Sequence, residues 1–179
     1  MPRSDALRNR ARVLDAAEEV LAEQGLTARM DAIAARAGVG VGTVYRHFAT
    51  KEALWQAIVV ARVDVLLAEA RRLRAEADPA TAFFTFFARI VADAAAKKAY
   101  TDALRDAGID VKDGQAEQVA AMRAAITGLL RAAQDAHAVR AEVGLPEILA
   151  LLRGASLAAE TGDFPPAALE IIFSGLRTV

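Results

Sequence analysis

Apolar residues fall at helical spacing along most of this chain. Val13, Leu14, Ala17, Val20 and Leu21 recur every three or four positions, with Arg10, Arg12, Asp15, Glu18 and Glu19 on the opposite face. That pattern predicts an amphipathic helix from about Asp5 to Gln24, with Ser4 as N-cap and Gly25 as a left-handed terminator. A short helix from about Met30 to Ala37 turns Ile33, Ala34 and Ala37 inward, and Gly38-Val39-Gly40 breaks it. Another short helix spans about Val41 to Phe48. Two such helices joined by a glycine turn form a helix-turn-helix unit.

The periodicity then lengthens. Thr50 caps a helix that has Glu52 in its first turn and runs to about Ala77 on Leu54, Ile58, Val65, Leu66 and Leu73. Asp78-Pro79 starts the next, to about Ala96, in which Phe83, Phe84, Phe86, Phe87, Ile90 and Val91 wrap more than one face. A short segment from Tyr100 to Ala107 ends at Gly108, and Ile109 to Gly114 reads as a polar loop. Helices follow at about Gln115–Ala136, Pro146–Glu160 and Pro166–Leu176, with His137 as a C-terminal cap where glycine would be usual. The expected fold is all-α with about nine helices: a three-helix domain over 1–50 and a helical bundle over 51–179.

Composition narrows the class. Hydrophobic residues make up 55% of the 179 and charged residues 25%, a globular balance with alanine prominent. The absence of cysteine removes disulfides and thiolate metal sites, and the two histidines stand far apart, so no metal or other cofactor is expected. No stretch reads as a membrane span or a signal peptide, which predicts a cytoplasmic protein with no membrane partner. Net charge is −1 overall, but residues 1–51 balance at +2 and residues 52–179 at −3. A basic end on an acidic body suits a nucleic-acid reader with a separate regulatory part. Nothing resembles a nucleophile elbow, a phosphate loop or a carboxylate–histidine constellation, which argues against an enzyme.

Residues 25–54 carry the most specific signal, GLTARMDAIAARAGVGVGTVYRHFATKEAL. Ile33-Ala34, Ala37-Gly38-Val39, Gly42 to Phe48 and Lys51 to Leu54 together resemble the signature of the TetR family of transcriptional regulators, strongly over residues 5–56. The resemblance implies a homodimeric repressor that binds an operator in double-stranded DNA and is released by a small-molecule effector. It assigns Thr43, Tyr45, His47 and Lys51 to the DNA backbone, and their hydroxyl, imidazole and ammonium donors suit phosphate. Gly40, Val41 and Gly42 would lie closest to base edges, with Val41 able to meet a thymine methyl. Arg46 suits a guanine or a phosphate. Where the family has Ser or Thr at the start of the second helix, this chain has Arg29. Capping there is lost or passes to Thr27 or main chain, and Arg29 is left to reach a phosphate.

For the rest, the resemblance implies an effector cavity among the middle helices and a dimer interface on the last two. Phe83, Phe84, Phe87, Ile90, Tyr100, Met122 and Trp55 offer apolar walls. Arg89 and Asp93, one turn apart, either orient a polar group of the effector or form a solvated pair. Such walls fit a mostly apolar small molecule. Ile148, Leu151, Leu152, Ala155 and Ala159 form a stripe on one terminal helix, and Leu169, Ile172, Phe173 and Leu176 on the other. Those stripes either meet across a twofold axis or pack inside one subunit. The alternative to a regulator is a helical ligand-binding or scaffolding dimer without operator-specific DNA binding.

Overall fold

The computed structural model describes residues 3–106 and 116–178, with side chains over the same ranges except 3, 4, 7, 26 and 95–106. Among the described residues there are eight α-helices: α1 (Arg3–Gln24), α2 (Met30–Ala37), α3 (Val41–His47), α4 (Lys51–Glu76), α5 (Pro79–Asp106), α6 (Ala116–Asp135), α7 (Leu145–Thr161) and α8 (Pro166–Leu176). A 3-10 turn, Gly25–Thr27, follows α1. The expected break after Ala96 is absent, and one helix replaces two. Lys97, Lys98 and Ala99 are good helix formers, and no glycine or proline intervenes. Because α1 begins at Arg3, Ser4 lies inside its first turn and is not its cap.

Two compact units make up the chain. The first runs to Arg62 and includes the end of α5 from Ala99. Its core joins Val13, Ala17, Val20 and Leu21 of α1 to Ile33 and Ala34 of α2, Val44 of α3 and Phe48. Leu54, Trp55 and Ile58 of α4 complete it. The expected domain boundary near residue 50 falls where α4 starts, but the first turns of α4 pack into the first unit's core. Trp55 is therefore a core residue of this unit and not a cavity wall.

The second unit takes Val63–Lys98 and the segment from Ala116 onward. Leu66, Ala70 and Leu73 of α4 and Phe83, Phe86, Phe87 and Val91 of α5 pack with α6 through Leu129 and Leu130, and with α7 and α8. Phe84 and Phe87 both meet the Phe173 ring, at centroid distances of 4.8 and 5.6 Å. Local signals act as expected at the helix ends. The Thr50 hydroxyl accepts the Ala53 N–H at 3.1 Å, and the Asp78 carboxylate accepts the Thr81 N–H at 3.0 Å. His137 takes φ 54 and ends α6, with the Ala138 N–H donating to the Ala133 carbonyl at 2.8 Å. No described helix is long and apolar enough to cross a membrane.

Candidate functional site

The turn between α2 and α3 is closed from both sides. Gly38 has φ 63, the left-handed conformation that favours glycine. Its N–H donates to the Ala35 carbonyl and the Val39 N–H to the Ala34 carbonyl, at 3.1 and 3.0 Å, which satisfies the last carbonyls of α2. From α1, Arg12 Nη2 donates to the Ala37 carbonyl at 2.6 Å and reaches that of Gly38 at 3.5 Å. A cation at the negative end of α2 is favourable. Arg12 thus pins the turn that sets the direction of α3. In the sequence Arg12 shows only as part of the polar face of α1, because the contact spans 25 residues and has no local signature.

Gly40, in extended backbone, leads into α3. Of the seven residues of α3, only Val44 is buried. Val41 and Tyr45 are 44% and 51% exposed, Arg46 is exposed, and Thr43 and His47 are half-buried. Gly40 and Gly42 are also exposed, and a Cβ added at either would meet nothing within 4 Å. A helix this short, anchored by Val44 and by Phe48 just beyond it, presents most of its surface outward. Lys51 Nζ lies 5.7 Å from the centroid of the Trp55 ring at the start of α4. The predicted contact residues Gly40, Val41, Gly42, Thr43, Tyr45, Arg46 and His47 therefore come together on one short element, with Lys51 shortly after it.

Arg29 differs from its companions. It occupies the N-cap of α2 without a side-chain cap, and its Nε donates to Asp31 Oδ1 at 3.1 Å. Asp31 also accepts the Ala32 N–H at 3.0 Å, while the Thr27 hydroxyl donates to the Gln24 carbonyl instead of capping α2. The Arg29 hydrogen bond holds the Asp31 carboxyl below its usual range. The charge of Arg29 is thus partnered within the chain.

In the second unit the aromatic walls fill one another. Phe83, Phe86, Phe87, Ile90, Ile126, Leu129, Ile148 and Leu152 surround only about 10 Å³ of free space. That is room for at most a single water. Phe83 and Phe87 are buried, and Phe84, Ile90 and Met122 are half-buried. Asp93 is buried, whereas Arg89 is exposed and lines no part of this core. Arg89 acts on Glu69, whose carboxyl is held low first by the Arg72 hydrogen bond and further by the Arg72 and Arg89 charges. Tyr100 falls outside the described side chains.

Of the two readings of the terminal apolar stripes, packing inside one subunit fits their buried members. Ile148, Leu152, Ala155, Phe173 and Leu176 are buried in the core of their own unit, packed with the phenylalanines of α5. Leu151, Ala159, Leu169 and Ile172 are partly buried against the same core. On these two helices the exposed large apolar side chains are Leu157, at 62%, and Ile171, at 73%. Open space lies over Gly154 and Gly175 nearby in sequence. Both helices carry apolar residues on more than one face, so spacing alone identified the internal stripe.

Comparison with known proteins covers nearly the whole chain. The family model described as bacterial regulatory proteins, tetR family, matches residues 13–58, and the C-terminal domain of SbtR-like transcriptional regulators matches residues 78–178. A TetR transcription regulatory protein from Mycobacterium vanbaalenii is 42% identical, with a TM-score of 0.86 over 99% of this chain and 100% of that one. The TetR transcriptional regulator SCO0520 from Streptomyces coelicolor is 34% identical, with a TM-score of 0.79 over 95% of this chain and 99% of that one. The HTH-type transcriptional regulator SAR0097 of Staphylococcus aureus is 46% identical over 77 residues, 41% of this chain and 40% of that protein. The match to this curated relative thus spans less than half of its length.

Proposed function

Since the chain belongs to the TetR family of bacterial transcriptional regulators, we propose that it is a homodimeric repressor whose α3 reads an operator and whose second unit takes a small effector. The observation that carries this reading is α3 itself. Val41, Tyr45 and Arg46 project outward from a helix held by one buried residue and oriented by the Gly38 turn. In this reading Gly40, Val41 and Gly42 approach base edges, and Thr43, Tyr45, His47 and Lys51 take phosphates. Arg46 serves either. Arg29 contributes least, because Asp31 already neutralises it.

Two copies are required for two half-sites spaced roughly 34–36 Å apart on one face of the duplex. Leu157 and Ile171, with the open glycines Gly154 and Gly175, form the contact face. An effector that releases the repressor must bind the released form more tightly than the DNA-bound one. The core around Phe87 is nearly filled, so in this reading an apolar molecule enters only by opening it. Buried Asp93 is the polar group on α5 to which such a molecule would orient. No cofactor takes part, and the site of action is the cytoplasm, where the operator lies.

The test is selection of bound DNA from a random pool, followed by a screen for small molecules that release it. Enrichment of a twofold-symmetric sequence is expected. Binding without any enriched sequence would overturn operator reading and favour a ligand-binding or scaffolding dimer.

A further inference from the structure

Most described arginines of the first unit have partners within the chain. Arg8 pairs with Asp5, Arg29 with Asp31, Arg36 with Glu19 and Glu23, and Arg62 with Glu18, while Arg12 is spent on main-chain carbonyls. Arg10 and Arg46 have no ion pair or hydrogen bond among the described residues. Arg46 belongs to α3 and is already assigned to DNA. Arg10 does not: it lies on α1, is exposed, and is distant in sequence from every contact residue.

Its guanidinium carbon is nevertheless 5.3 Å from the centroid of the Phe48 ring. Phe48 is a buried core residue, the C-cap of α3, and its ring lies 6.3 Å from that of His47. An aromatic ring attracts a cation over its face, and a guanidinium so placed keeps its in-plane N–H donors available. Phe48 therefore holds a positive charge beside the end of α3, next to the side chain assigned to phosphate at position 47.

We infer that Arg10 is a further DNA-backbone contact, presented by Phe48, so that the interface extends from α3 onto α1. The inference rests on the reading of α3 as the DNA-reading helix. Phosphate is the fitting partner because planar guanidinium donors match its oxygens in pairs. Base edges, by contrast, are read mainly from the N-terminal residues of a recognition helix, and Arg10 is at the other end.

Salt titration of DNA binding by the full chain tests this. Arg10→Gln should flatten the slope of log affinity against log salt by about 0.9, the value for one released counterion. It should weaken specific and non-specific duplexes by the same factor and leave the melting temperature in place. Arg10→Lys should retain the slope. Phe48→Leu keeps an apolar core residue but removes the ring, and it should flatten the slope by less than Arg10→Gln. An Arg10→Gln protein with an unchanged slope would overturn the assignment. So would a changed base preference, which would make Arg10 a base reader. If the unsubstituted protein binds no DNA, the reading of α3 fails first, and the two failures are thereby told apart.

Discussion

On α3, Val44 points inward, while Val41, Tyr45 and Arg46 are left exposed to meet something outside the chain. On α7 and α8 the division is different, because apolar side chains occupy both sides. Ile148 and Phe173 are buried, while Leu157 and Ile171 on the same two helices are largely exposed. A buried apolar residue holds its own unit together, whereas a largely exposed one adds little to that core. In the first unit chemistry separates these roles, since the candidate contacts are mostly polar or glycine. In the terminal helices only burial separates them.

The largest effects should fall on the buried side of that division. Ile148→Ala removes a fully buried side chain from the core and should cost roughly 2–5 kcal/mol, read as a loss in denaturant unfolding. Leu157→Glu with Ile171→Glu should leave monomer stability nearly unchanged and abolish the dimer in sedimentation. If the paired glutamates still sediment as a dimer, the contact face lies elsewhere. Ile148→Ala with unchanged stability would erase the distinction between the two faces.

Within α3 the next effect separates base from phosphate. Val41→Ala should alter which base is preferred at one position, by about 1–3 kcal/mol for that base pair. Lys51→Ala and Tyr45→Phe should weaken all sequences alike, and the lysine change should also flatten the salt slope by about one. A Lys51→Ala protein with a shifted sequence preference and a full salt slope would reverse the division between backbone and base contacts.

Two glycines four residues apart sharpen the contrast between fold and function. Gly38 is required by the backbone, since φ is 63 and an added Cβ would lie 2.8 Å from Arg12 Nη2. Gly38→Ala should therefore destabilise the first unit by ~1–2 kcal/mol. Gly42 has no such need: its φ is not positive, and a Cβ there meets open space. Gly42→Ala should stabilise the folded chain by ~0.5–1 kcal/mol, because glycine is a poor helix former, and yet weaken operator binding by filling the closest approach to DNA. Thermal melting and gel shift on the same samples measure both signs. A Gly42→Ala protein with full affinity would show that nothing approaches that backbone.

Much of this was legible in the chain because the signals are local. Thr50, Asp78, Gly38 and His137 each act within a few residues of their own position, and the turn-plus-helix spacing of residues 25–54 is compact enough to be read directly. Contacts between distant segments were not legible. Arg12 on the Ala37 carbonyl and Arg10 on the Phe48 ring depend on how α1 packs, which no spacing encodes. The apolar stripe of α7 was correctly found but its partner was not, since a subunit contact and an internal core need the same residue types. Arg89 and Asp93 illustrate the same limit on α5: they are one turn apart, yet one is exposed and the other buried.

The smallest effect concerns acid, and it too should differ between the units. In the first, Arg36 of α2 donates to Glu19 and Glu23 of α1, so the ion pairs join two helices. In the second, Arg72 pairs with Glu69 and Glu76, and Arg140 with Glu142, all within a few residues. The Glu23 carboxyl is held below its ordinary 4.5, chiefly by its hydrogen bond from Arg36. A carboxylate with a lowered folded-state pKa stabilises the fold above its unfolded-state value, and that contribution fades as pH falls through the lowered one. The α1–α2 junction should therefore loosen below about pH 4.5, seen as lower amide protection in α2 relative to the unfolded chain, while α7 keeps its protection. Because these groups are exposed, molar salt should screen the difference away. Arg36→Met removes the partner of Glu19 and Glu23 and should reduce the acid sensitivity of α2, leaving only the part that Asp31 contributes through Arg29. The same acid midpoint in Arg36→Met and the unsubstituted protein would show that the pairs joining α1 and α2 contribute nothing.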